Sequence, residues 1–95
     1  LLLDGLTISV LSTPGHSEGS VTLLCDTVMF AGDTLFAGSC GRCDMEGGSE
    51  RKMVASLKRL GELEGDFTVY SGHGPASTLA EERRSNHYMR QAMRL

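Results

Sequence analysis

Three short turns constrain this chain more than anything else in it. Each begins where a strand-like stretch ends, and each carries one side chain able to ligate a metal. They are Thr13-Pro14-Gly15-His16-Ser17, Ala31-Gly32-Asp33-Thr34-Leu35-Phe36 and Ser71-Gly72-His73-Gly74-Pro75. Before the first, Leu6-Thr7-Ile8-Ser9-Val10-Leu11 alternates apolar and polar side chains, the pattern of a strand with one buried face. Val28-Met29-Phe30-Ala31 leads into the second turn and Phe67-Thr68-Val69-Tyr70 into the third. Pro14 fixes its own φ and holds Thr13 extended, while Gly15 admits a sharp turn, so His16 is expected to project from a strand end. If the three strands end at one edge of a sheet, His16, Asp33 and His73 converge there.

The stretches between the turns supply the rest of a small mixed fold. Val21-Thr22-Leu23-Leu24-Cys25 and Val28-Met29-Phe30-Ala31, separated by Asp26-Thr27, read as a tight hairpin that delivers Asp33. From Ala37 to Ser49 the glycines Gly38, Gly41, Gly47 and Gly48 recur among polar residues, so an irregular surface loop is expected, of the kind that lines sites. Ser49 reads as an N-cap, with Met53, Val54, Leu57 and Leu60 at helical spacing and Arg51, Lys52, Lys58 and Arg59 on the opposite face. Gly61 and Gly65 bracket the end of that helix. Ser77 or Thr78 caps a helical tail through Glu81, Glu82, Arg83 and Arg84, expected to run on to Leu95. Met29, Met53, Met89 and Met93 are expected core fillers.

Composition narrows the function. A chain of 95 residues is one domain at most, with a small core. Its net charge of −3 provides no field for nucleic acid or an anionic membrane, so neither partner is expected. No run approaches the roughly 18 apolar residues of a membrane span, and the opening Leu1-Leu2-Leu3-Asp4 is too short, and lacks the basic flank, for a signal peptide. Three cysteines, an odd number, make no disulfide framework, and a reducing, cytoplasmic location is the expectation. Cys40-Gly41-Arg42-Cys43 has the spacing of a redox pair, but its glycines oppose the helix that would activate a thiol, and a zinc ribbon needs a second such pair.

Imidazole nitrogen and carboxylate oxygen together suit zinc, iron(II) or manganese, and a carboxylate can bridge two such ions. A lone histidine in a turn, or Gly-Asp-Thr alone, is ordinary surface or cap chemistry. Three such residues behind three strands are not.

These residues carry a resemblance. Thr-Pro-Gly-His16-Ser, Gly-Asp33-Thr-Leu-Phe and Gly-His73-Gly-Pro resemble the later metal motifs of the metallo-β-lactamase-fold hydrolases. The stretch Gly41-Arg42 to Gly48 and the tail from Glu82-Arg83-Arg84 to Asn86 resemble the glyoxalase II-like branch. The resemblance implies an α/β (α+β) fold that is half of an αββα sandwich, a mixed β-sheet with flanking helices. It also implies zinc as cofactor, with iron or manganese possible: His16 on a first metal, His73 on a second, and Asp33 bridging both as ligand rather than base. The family's His-x-His-x-Asp-His motif is nowhere in this sequence, and His87, in the helical tail, does not replace it. The chain therefore reads as residues 1–95 of a C-terminal half, carrying incomplete metal sites, with the other half or self-association as the expected partner.

The activity implied for the complete domain is ester or thioester hydrolysis by a metal-activated water, on a small-molecule substrate. By the same resemblance Arg42 takes the place of a lysine, and Asp44 that of a tyrosine, which hold glutathione in glyoxalase II enzymes. Arg42, with Cys40 beside it, is thus the candidate substrate-binding pair, and Arg42 can equally tie the loop through Asp44. Gly-Arg-x-Asp also resembles the iron-dependent persulfide dioxygenases of the same fold, and a non-catalytic interaction module is a third reading.

Overall fold

In the computed structural model, residues 2–3, 5–44 and 46–95 are described; Leu1 and Asp4 of the opening stretch, and Met45 of the glycine loop, lie outside them. The strands are β1 (Leu2–Leu3), β2 (Leu6–Ser12), β3 (Val21–Cys25), β4 (Val28–Gly32), β5 (Leu35–Phe36) and β6 (Ser39–Cys40). After them come α1 (Glu50–Gly61), β7 (Thr68–Ser71), β8 (Ser77–Thr78), α2 (Leu79–Ser85) and α3 (His87–Met93). The main sheet has the order β1-β2-β3-β4-β7-β8, and β5 pairs with β6 in a separate ribbon.

Strand direction places the three turns. β2 is antiparallel to β3, β3 is antiparallel to β4, and β4 is parallel to β7. Consequently β2, β4 and β7 all point the same way, and the turns that follow them emerge at one edge of the sheet. The parallel step from β4 to β7 needs a long crossover, which the glycine loop and α1 provide. The hairpin at Asp26-Thr27 forms as expected, with Cys25 opposite Val28 and Asp26 in the left-handed region at φ 55°.

The sheet is two-faced. Met29, Ala31 and Val69 pack against Leu35, Met53, Leu57, Leu60, Leu79, Met89 and Ala92, all buried, with Leu11 and Leu24 closing the margin. On the other face Val10, Leu23, Phe30 and Tyr70 sit in register across four strands. That row is open to solvent: Val10 is 52% exposed, Phe30 47% and Tyr70 47%. Phe30 and Tyr70 stack at 5.8 Å. The alternation in β2 therefore points the opposite way from the sequence reading, because Ile8 and Val10 share the open face and Leu11 turns toward the helices.

The helices are fixed at their ends by side chains. Ser49 caps α1 by accepting the Lys52 N–H at 3.2 Å. The Arg83 guanidinium donates to the Gly61 carbonyl at 3.0 Å, to Gly65 at 2.8 Å and to Leu63, satisfying the last carbonyl of α1 and two in the turn that follows it. The tail is not one helix. Thr78 caps α2, and Asn86 then interrupts, its Oδ1 accepting the N–H groups of Tyr88 and Met89 to begin α3. The side chain of Asn86 offers the backbone a better partner than helix continuation does. The glycine loop also differs from expectation, since Ser39–Cys40 pairs with Leu35–Phe36, and Met93 remains 37% exposed rather than joining the core.

Two substitutions separate the faces. Leu57→Ala is expected to cost about 2–5 kcal/mol in urea unfolding, because it opens a cavity between α1 and the sheet. Phe30→Thr, on the open row, is expected to cost this chain less than about 1 kcal/mol.

Candidate metal centre

The His16 turn is built against the start of α1. A Cβ on Gly15 would lie 2.5 Å from Met53 Cα, so only glycine admits this approach. The Ser49 N–H donates to the Gly15 carbonyl at 2.7 Å, and Ser56 Oγ donates to the Pro14 carbonyl at 2.7 Å. His16 Nδ1 lies 2.8 Å from the Arg42 carbonyl oxygen. A carbonyl can only accept, so Nδ1 carries the hydrogen, and the other ring nitrogen, Nε2, faces Asp33.

Asp33 stands between two imidazoles. Its Oδ2 is 3.8 Å from His16 Nε2 and its Oδ1 is 3.3 Å from His73 Nε2. Gly72 makes room for the carboxylate, since a Cβ there would lie 2.9 Å from Oδ1, and the Gly72 N–H donates to the Gly32 carbonyl at 2.6 Å. From behind, Gly41 presses on the Asp33 backbone: a Cβ on Gly41 would come within 1.8 Å of the Asp33 carbonyl oxygen. Phe36 meets the His73 ring edge-on at 5.8 Å.

The three expected residues are thus brought together, and the donor set fits a cation by chemistry and by spacing. An imidazole lone pair facing a carboxylate oxygen is repulsive unless a positive charge, proton or metal ion, lies between them. Donor atoms at the usual zinc bond lengths stand about 3.4 Å apart in a tetrahedron, close to the observed 3.3 Å. The set is also incomplete. Among the described residues no three His, Cys, Asp or Glu side chains close on one point, so each imidazole forms half a site with one oxygen of Asp33.

A second tier of contacts was only partly legible in the sequence. Glu82, 2% exposed, accepts from the Gly38 N–H at 2.9 Å, from Asn86 Nδ2 at 2.8 Å and from Ser77 Oγ at 2.8 Å. Asn86 Nδ2 also donates to the Ser39 carbonyl at 3.0 Å. Glu82 and Asn86 thereby tie the ribbon that follows Asp33 to the helical tail, a role their place in the resemblance to a family tail did not specify. Thr13, Thr22 and Thr34, all buried, meet beneath the His16 and Asp33 turns; Thr13 and Thr34 lie within the two ligand motifs, but nothing in the sequence marks their pairing or Thr22, because hydroxyls so far apart in sequence pair only through the fold.

Arg42 is engaged within its own loop. Its guanidinium spans Asp44 with contacts of 3.1 and 3.2 Å, which holds the Asp44 carboxyl below its usual range. Both side chains are 71% exposed, and such a pair is weak enough to exchange for another carboxylate. Cys40 and Cys43 line a cleft of about 840 Å³ with Met53, Leu57 and Tyr88. Burial pushes the Cys40 thiol up to about 11, with Cys43 adding to it. Cys43 is likewise raised by burial. These thiols are the reverse of an activated redox pair.

A sheet with helices on one face and a row of donors at the ends of its co-directional strands defines the class: a mixed α/β protein whose chemistry lies at strand ends. The sequence profile of the metallo-beta-lactamase superfamily matches residues 2–73, and the chain belongs to that superfamily. Hydroxyacylglutathione hydrolase GloC of Haemophilus influenzae is 35% identical, over 94% of this chain and 43% of the relative. The crystal structure of ETHE1 from Myxococcus xanthus superposes with a TM-score of 0.86 at 34% identity, covering 92% of this chain and 41% of that one. The crystal structure of TTHA1623 in a di-iron-bound form gives 0.83 at 42% identity, covering 93% and 44%. The chain spans less than half the length of the relatives it matches.

Gly41→Ala is expected to cost about 3 kcal/mol in urea unfolding, because the loop must retreat from Asp33. Alkylation tests Cys40. At pH 9, where an ordinary thiol is half ionised and one at about 11 is about 1% ionised, Cys40 is expected to react about 50-fold more slowly in the folded chain than in urea, by peptide mass spectrometry. Since the folded value is raised, this thiol's contribution to stability is complete below pH 9 and is lost as pH rises through 11.

Proposed function

We propose that this chain supplies one wall of a two-metal centre in a hydrolase of ester or thioester substrates. His16 would hold the first metal, His73 the second, and Asp33 would serve both. The observation that carries this reading is the Asp33 carboxylate, which offers one oxygen to each imidazole nitrogen. Zinc suits the donors, as do iron and manganese, and one relative is known in a di-iron-bound form. A bound divalent cation supplies Lewis acidity and makes a water acidic near neutral pH. The chain's own residues do the holding: the Arg42 carbonyl fixes the His16 tautomer, Gly41 and Gly72 seat Asp33, and Phe36 flanks the His73 ring. The Arg42 side chain, with Cys40 at the cleft, is our candidate for gripping a substrate carboxylate when Asp44 releases it.

Two half-sites need further donors, and an apolar sheet face needs cover. Both needs are met by a second β-layer bearing the missing ligands, so we read the chain as the C-terminal half of the family's sandwich. Its partner is then the remaining half, covalently attached or separate; self-association through the open row is the runner-up, and a stable monomer in size-exclusion chromatography counts against it. Three free cysteines suit a reducing cytoplasm, and among the described residues no helix is long and apolar enough to cross a membrane. The Gly41-Arg42-Cys43-Asp44 run, which resembles that of the persulfide dioxygenases of this fold, makes iron-dependent persulfide oxidation the second functional reading.

Equilibrium titration with zinc, read by elemental mass spectrometry, tests the centre. Asp33→Ala is expected to abolish uptake, and His16→Ala and His73→Ala each to remove about half of it, one half-site apiece. Uptake equal to wild type in Asp33→Ala overturns the assignment. In the assembled domain, Asp33→Ala is expected to lower kcat/KM for a thioester by more than about 100-fold; oxygen consumption with a persulfide and iron favours the second reading instead.

A further inference from the structure

The turns that carry His16 and Asp33 are joined by hydrogen bonds the metal reading does not use. Thr13, Thr22 and Thr34 are each 0% exposed. Thr34 Oγ1 donates to the Thr13 carbonyl at 3.3 Å. A hydroxyl has one proton, so that donation fixes the others: Thr13 Oγ1 donates to Thr34 Oγ1 at 3.2 Å, and Thr22 Oγ1 donates to Thr13 Oγ1 at 3.0 Å. The donors run in one direction, from β3, through the residue before Pro14, to the residue after Asp33.

The trio sits where a small displacement matters most. Thr13 is three residues from His16, and the intervening pair is stiff: Pro14 has a fixed φ and an anchored carbonyl, and Gly15 is pinned to α1 by Ser49. Thr34 adjoins Asp33, whose backbone Gly41 packs against. β2 and β4 are not neighbours, because β3 lies between them, so no ladder bond sets the spacing of their ends. The three hydroxyls bridge that gap, one from β3 and one from each of the flanking turns.

We propose that Thr13, Thr22 and Thr34 are positioning residues that set the separation between the His16 imidazole and the Asp33 carboxylate, and so tune one half-site independently of His73. The separation is a property of the metal-free chain; only its consequence for metal affinity rests on the function proposed above.

Thr13→Val removes the central hydroxyl while keeping the branched shape, and Thr13→Ser restores it. The first readout is the set of histidine side-chain 15N resonances in the metal-free chain, with exposed His87 as internal control. The second is zinc affinity by chelator competition, beside thermal unfolding. The expected result is that Thr13→Val moves the His16 resonances and leaves those of His73 and His87 in place. Zinc affinity at the half-site lost in His16→Ala should weaken about tenfold or more while Tm changes by a few degrees, with both effects repaired by serine. Unmoved His16 resonances in the folded valine variant overturn the proposal, as does a shift of His16 and His73 together that serine does not repair. If Thr13→Val does not fold, Thr22→Val carries the same test, since it removes the donor at the head of the chain and lies in β3, outside both ligand turns. A wild-type chain that takes up no zinc defeats the metal reading and leaves the resonances to decide this one.

Discussion

The site depends on β4 and β7 running parallel. Antiparallel neighbours joined by a short turn place their following loops at opposite edges of a sheet, whereas parallel neighbours place them at the same edge. Here Gly32 and Ser71 end up side by side, so Asp33 and His73 follow from adjacent strand ends. That arrangement requires a connection long enough to cross back over the sheet, and the chain uses it twice over. α1 covers the core face, and the glycine loop leading to α1 passes behind Asp33 and supplies the carbonyl that orients His16.

His16 reaches the same edge by a different route. β2 has the right direction only because two antiparallel steps restore it, and β3 is interposed. Position then has to come from outside the ladder. It comes from α1, which holds the Pro14 and Gly15 carbonyls, and from the threonines beneath. The first half-site is accordingly wider than the second, 3.8 Å against 3.3 Å, although its imidazole is the more tightly held of the two by the backbone around it.

What the sequence made legible was local. Ser49 as a cap, Asp26-Thr27 as a hairpin turn and three strand ends followed by glycine turns are each decided by a few neighbouring residues, and each stands where it was read. The misreadings came from non-local competition. Ile8 and Val10 make a good apolar face, but alternation does not say which layer that face meets, and here it is the side opposite the helices. The tail looked continuous because Arg83 to Met93 has no glycine or proline to stop it; Asn86 stops it because Glu82 and the Ser39 carbonyl hold its amide while its oxygen caps the next helix. The threonine trio and the Gly41 contact join residues far apart in sequence, and no local pattern encodes them.

The two unmet needs of this chain lie in the same place, and that coincidence argues for a single solution. Phe30 and Tyr70, stacked and open, lie on the strands that end at Asp33 and His73. A layer that covered the row would also arrive beside the half-sites. Burying those aromatic rings contributes apolar free energy that a pair of two-donor sites cannot supply by themselves, while added donors would hold the arriving layer in register, which apolar contact alone does poorly. On the proposed reading, assembly of the sandwich and completion of the metal centre are therefore one thermodynamic event: metal and second layer each raise the affinity of the other, by the reciprocity that any two ligands of one folded state must obey.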